Sequence, residues 1–74
     1  MAKVLELCGM IHARYNNEAS FADALGWPRQ RLNKITNGKK EPDLEEVAAM
    51  ANGLGEPLEK VANIFLQKSH QMGN

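Results

Sequence analysis

The chain has 74 residues, 43% of them hydrophobic and 24% charged, a size that accommodates one core and excludes a two-domain enzyme. Cys8 is the only cysteine and His12 and His70 have no ligand spacing, so an intrachain disulfide is excluded, no metal or cofactor is expected, and the stability of so short a chain must come from economical helix packing or a second subunit. Formal net charge is zero, but Trp27 to Lys40 holds Arg29, Arg31, Lys34, Lys39 and Lys40 with no acid, and the segment after it carries Asp43, Glu45, Glu46, Glu56 and Glu59; the chain is electrically polarised.

Glycine and proline at Gly26 to Pro28, Asn37-Gly38, Pro42 and Gly53 to Pro57 punctuate stretches of helical periodicity, which predicts an all-α fold, a compact five-helix bundle. A first helix is expected over Lys3 to Arg14, with Val4, Leu7, Cys8 and Ile11 as its apolar stripe. A second, over Glu18 to Leu25, takes Asn17 as N-cap and turns Phe21, Ala22 and Leu25 inward. In the third, Pro28 to Asn37, a rotation of 100° per residue points Pro28, Leu32 and Ile35 one way and Arg29, Gln30, Asn33, Lys34 and Asn37 the other. The fourth starts at Asp43, with Glu46 completing a capping-box variant and Leu44, Val47, Ala48, Ala51 and Leu54 as its buried stripe; Gly53 or Gly55 ends it. Pro57 opens the fifth, with Leu58, Val61, Ala62 and Phe65 inward. The domain is expected to span 1–66, and 67–74 reads as a disordered tail.

Two short helices joined by three residues, with a small residue on the first, a glycine in the turn and branched residues on the second, meet the requirements of a helix-turn-helix. Ala22 permits the close crossing, Gly26 can reverse the chain, and Leu32 and Ile35 lock the second helix onto the first, with Phe21, Leu25 and Trp27 completing the seam. Trp27, beside apolar neighbours at the turn, is read as packing rather than as a stacking platform for bases. Carried by FADALGW, RLNKITNGKKEPDLEEVAAMANGLG and PLEKVANIF in order and spacing, residues Asn17 to Phe65 resemble the lambda-repressor-like, Xre/Cro-type DNA-binding domain of bacterial and phage regulators.

That resemblance implies that Pro28 to Asn37 is a recognition helix whose Arg29, Gln30, Asn33 and Lys34 meet base edges in the major groove. Their chemistry agrees: Arg and Lys donate to guanine, and Gln or Asn pairs with adenine, at about 1–3 kcal/mol of discrimination for each good pair. Asn37, Gly38 and Lys39 match the family's turn, where side chains and the amides near Gly38 meet phosphate, and Arg31 and Lys40 are expected to add phosphate contacts through their charge. Three positions depart from the family pattern. Pro28 stands where a Ser or Thr cap is common. Glu18 replaces a glutamine that touches phosphate, so that contact is not carried over. Thr36 replaces the acid that usually precedes Asn-Gly.

The expected function is sequence-specific binding of double-stranded DNA and regulation of transcription as a repressor, by occupancy rather than catalysis. No pattern of clustered His, Cys or carboxylates points to an enzyme or a small-molecule substrate. Ile64 and Leu66, beside the inward Phe65, are apolar surplus that suggests a homodimer on a pseudo-palindromic operator. The alternative is a protein-interaction module, such as an antitoxin or anti-repressor, on the same fold. No apolar run reaches the roughly 18 residues of a membrane span, and Glu6 and His12 interrupt the N-terminal segment, so no membrane partner and a cytoplasmic location are expected.

Overall fold

Two helix starts in this chain are set by side-chain caps. Asn17 Oδ1 accepts the Ser20 amide at 2.8 Å and starts the second helix. Asp43 Oδ1 accepts the Glu46 amide at 2.8 Å while Glu46 Oε1 accepts the Asp43 amide at 3.0 Å, a reciprocal capping box. In the computed structural model, which describes residues 4–72 and side chains through Leu66, the elements run α1 (Leu5–Arg14), α2 (Glu18–Leu25), α3 (Arg29–Thr36), α4 (Leu44–Leu54) and α5 (Leu58–Met72). There is no strand among the described residues. The tail expected at 67–74 lies outside the described side chains, although the α5 backbone continues to Met72.

One core, built from Leu7, Ile11, Phe21, Leu32, Ile35, Met50, Leu54, Val61 and Phe65 among others, joins all five helices. Leu7 and Ile11 are the buried residues of α1, with Val4 buried just before it, whereas Cys8 is only half-buried and sits at the stripe's margin. Between α2 and α3 the reversal falls at Gly26, whose φ of +73° is open to a residue without a Cβ. The Gly26 amide donates to Asp23 O at 3.1 Å and the Trp27 amide to Ala22 O at 2.9 Å, which closes the turn. Gly53 serves a different need: a Cβ there would lie 3.0 Å from Phe21 Cε1 and 3.2 Å from Leu25 Cδ2, so α4 crosses α2 closely at this point. Beside it, the Tyr15 hydroxyl donates to Gly53 O at 2.7 Å, and the Tyr15 and Phe21 rings lie 5.0 Å apart at a tilt of 44°.

Several inward assignments need correction. Pro28 is exposed: it is the extended N-cap of α3, not a residue of its buried face. On α4 the buried set is Glu46, Val47, Met50, Ala51 and Leu54, leaving Leu44 72% exposed and Ala48 exposed. Two stripes of the same spacing fit this helix, and packing against α2 and α5 selects the one that contains Met50. On α5, Val61, Ile64 and Phe65 are buried and Leu58 is exposed. Ile64 and Phe65 stand 100° apart on the helix, so both edge into the core, and Ile64, at 8% exposure, is not the free interface residue expected of it. Leu66 turns outward, 63% exposed.

Candidate nucleic-acid interface

Burial of Leu32, Ile35 and Thr36 fixes the roll of α3. The opposite side then faces water: Arg29, Gln30, Asn33 and Lys34 are exposed, and with Asn37 and Lys39 they line one open concavity. The sequence placed Arg29, Gln30, Asn33, Lys34 and Asn37 on this side, and the helix brings them together there. All are long cationic or amide side chains, donors that suit the acceptors of base edges and phosphates.

The C-terminal end of α3 is fully accounted for. The amides of Asn37, Gly38, Lys39 and Lys40 donate to the carbonyls of Asn33, Ile35, Lys34 and Lys34 at 2.9–3.1 Å, and the Val4 amide donates to Thr36 O at 2.8 Å. These bonds correct one expectation. The turn amides near Gly38 were expected at phosphate, but a helix end must satisfy its last carbonyls, and here it uses those N–H groups to do so. Any contact from this turn falls to the side chains of Asn37, Lys39 and Lys40. The Val4 bond also ties the start of α1 to the end of α3.

Two carboxylates border the surface. On the α2 side, Glu18 Oε1 lies 3.1 Å from Thr36 Oγ1 and accepts Asn33 Nδ2 at 3.3 Å, and Asn33 Oδ1 accepts Asn37 Nδ2 at 2.7 Å. Two departures from the family pattern thus answer each other: an acid at position 36 would repel Glu18, whereas the buried Thr36 hydroxyl can donate to it. The Thr36 proton serves either Glu18 or Asn33 O, also at 3.1 Å. Asn33 consequently has its carbonyl oxygen and one amide hydrogen engaged within the protein, leaving Arg29, Gln30 and Lys34 on α3, and Lys39 after it, as the side chains lining the concavity with no protein partner among the described residues.

On the α4 side stands Glu46, which sequence reasoning read only as a capping-box acid. Its side chain is 1% exposed; Oε2 accepts Arg31 Nε at 2.8 Å and Lys40 Nζ at 2.6 Å. The Arg31 guanidinium also lies over the Trp27 ring, 4.4 Å from its centroid, and Trp27 itself packs against the core. Burial pushes the Glu46 carboxyl up, but hydrogen bonds from Lys40, the Asp43 amide and Arg31, with the charge of Lys40, outweigh it and hold the group down to about 2. Stripping both cations from a buried carboxylate would cost about 3–5 kcal/mol, whereas an exposed ion pair returns under about 1 kcal/mol. In the free chain both cations are held on Glu46. Their side chains are 43% and 41% exposed, so both remain partly in solvent. A signal for Glu46 was present: it lies four residues before Met50 and eight before Leu54, on the inward stripe of α4.

Among the described residues no group of His, Cys, Asp and Glu could hold a metal ion, and no helix is long and apolar enough to cross a membrane. A five-helix bundle in which two short helices meet across a left-handed glycine, the second displaying an exposed basic and amide face, defines a helix-turn-helix protein. Residues 16–61, more than half of the chain, match the family model described as Helix-turn-helix; the chain belongs to this Xre and lambda-repressor-like family of DNA-binding transcription regulators, which are not typically enzymes. No curated protein and no solved structure matches it.

Proposed function

We propose that this chain is a cytoplasmic, sequence-specific repressor that lays α3 in the major groove of double-stranded DNA and acts by occupying its operator. The observation that carries the reading is the common outward face of Arg29, Gln30 and Lys34, exposed on a helix whose opposite side is fixed by the core and whose C-terminal end is fixed by backbone hydrogen bonds. In this reading those three side chains select bases, Asn33 contributes less because Glu18 and Asn37 hold it, and Arg31, Asn37, Lys39 and Lys40 meet phosphate. Gly38 shapes the turn that presents them. Recovering bound duplexes from a random pool tests the reading. A defined site is expected with the parent chain, and relaxed choice at one or two base positions with Gln30→Ala. Recovery of random sequences by the parent would overturn it.

A homodimer on a pseudo-palindromic operator, with half-sites about 34 Å apart, is part of the proposal. Its support is a mostly apolar groove lined by Pro42, Leu44, Val47, Ala62, Phe65 and Leu66, with Glu41 at its side, in which Leu44 and Leu66 are well exposed. The same groove favours the second reading, a protein-interaction module of the antitoxin or anti-repressor kind. A chain of that kind would hold a protein partner there and recover no defined duplex.

A further inference from the structure

The basic segment does not present five equivalent cations. Arg31 and Lys40 converge on one buried oxygen, Glu46 Oε2, from α3 and from the loop before α4. Arg31 spends only Nε there and is steadied on its other side by Trp27, so the N–H groups of both terminal nitrogens remain for a ligand. Lys40 spends one of three donors. Two cations against one carboxylate leave one positive charge in excess within this group of three, and both cationic side chains are partly exposed. The pair lies beside the concavity, and Lys39, adjacent in sequence, lines it.

From this geometry we infer that Glu46 is a positioning residue for DNA binding: it holds Arg31 and Lys40 together as a clamp for backbone phosphate at the α4 edge of the α3 surface. The inference rests on the DNA-binding reading proposed above and adds to it a role for an acid. A free lysine or arginine loses rotamer freedom when it closes on phosphate, whereas these two lose it when the protein folds. The buried carboxylate cannot follow its partners outward, so they use their remaining donors without leaving it. An acid near a polyanion therefore helps the contact instead of opposing it.

Charge alone and positioning predict opposite signs. Glu46→Gln removes a negative charge, which by itself strengthens attraction to DNA; positioning predicts weaker binding instead, by about tenfold. The measurement is fluorescence anisotropy of a labelled duplex recovered from a random pool by the parent chain, taken across a series of KCl concentrations. In the double variant Glu46→Gln/Lys40→Met, the two losses are expected to overlap rather than multiply. Equal or tighter binding by Glu46→Gln, or fully multiplicative losses, would overturn the inference.

Should Glu46→Gln fail to fold, as followed by circular dichroism, Lys40→Met against Lys39→Met decides the question. A clamp makes Lys40 the costlier loss, with a salt slope shallower by about 0.9 for one phosphate. An acid that merely neutralises its partner makes Lys40 the cheaper loss, and that result would overturn the proposal. Absence of parent binding to any duplex would instead overturn the DNA-binding reading itself, and the clamp with it.

Discussion

The two edges of α3 each carry a glutamate bonded to the helix, and the two behave differently. Glu18, half-buried on α2, accepts from neutral donors, Asn33 and Thr36. Glu46, buried on α4, accepts from cations, Arg31 and Lys40. At the first edge the carboxylate is met by neutral donors only, while at the second two cations share one carboxylate. Residue type does not decide whether an acid beside a cationic surface stands alone or organises its neighbours; burial and the charge of its donors do.

The comparison is broken first at Glu46. Glu46→Ala leaves Arg31 and Lys40 unpaired and removes half of the capping box, and is expected to cost about 3 kcal/mol in urea unfolding at neutral pH; Glu18→Ala, which removes bonds at a half-exposed site, is expected to cost about 1 kcal/mol or less. Comparable losses would contradict the contrast.

Acid gives the next largest effect. Glu46 is held at about 2, below its ordinary value of 4.5, so its folded form is the weaker proton binder. Its contribution is complete above about pH 4.5 and disappears as pH falls through that value toward 2. Water around the half-exposed partners screens the pair, so the part lost is about 2 kcal/mol. Urea midpoints across this window should fall further for the parent than for Glu46→Gln, and parallel curves would remove Glu46 as the source.

Much of this architecture was legible in the sequence, because it depends on neighbours along the chain. The Asn17 cap, the Asp43 and Glu46 box, the Gly26 reversal and the outward set on α3 all follow from spacings of a few residues. What escaped depends on how helices meet. Leu44 and Ala48 fit one stripe of α4 as well as Met50 fits another, and only the positions of α2 and α5 choose between them. Ile64 looked surplus because one apolar line was counted, while the core of α5 is wide enough to take two adjacent residues. Glu46 with Arg31 and Glu18 with Thr36 pair across helices, at separations that no local pattern encodes. The bonding of the turn amides is hidden for a related reason: the carbonyls that use them belong to the helix they terminate, and that need precedes any ligand.

Smaller effects sharpen the α2 edge. Asn17→Ala removes the cap of α2 and should cost about 1 kcal/mol of stability by thermal unfolding, with no loss expected if Asn17 Oδ1 does not hold the Ser20 amide in solution. Glu18→Gln keeps an acceptor for Thr36 and Asn33 but deletes the charge. It is expected to leave stability within about 0.5 kcal/mol and to tighten duplex binding several-fold, the opposite sign from Glu46→Gln. Weaker binding by Glu18→Gln would place that carboxylate among the organising groups and erase the difference between the edges.

The most direct test of the whole account is a map of backbone amide shifts as the chain is titrated with its selected duplex. Changes are expected to concentrate in α3 and the turn through Lys40, to extend to Glu46, and to be larger there than at Glu18. Shifts centred instead on Leu44, Ala62 and Leu66, with α3 unmoved, would contradict it.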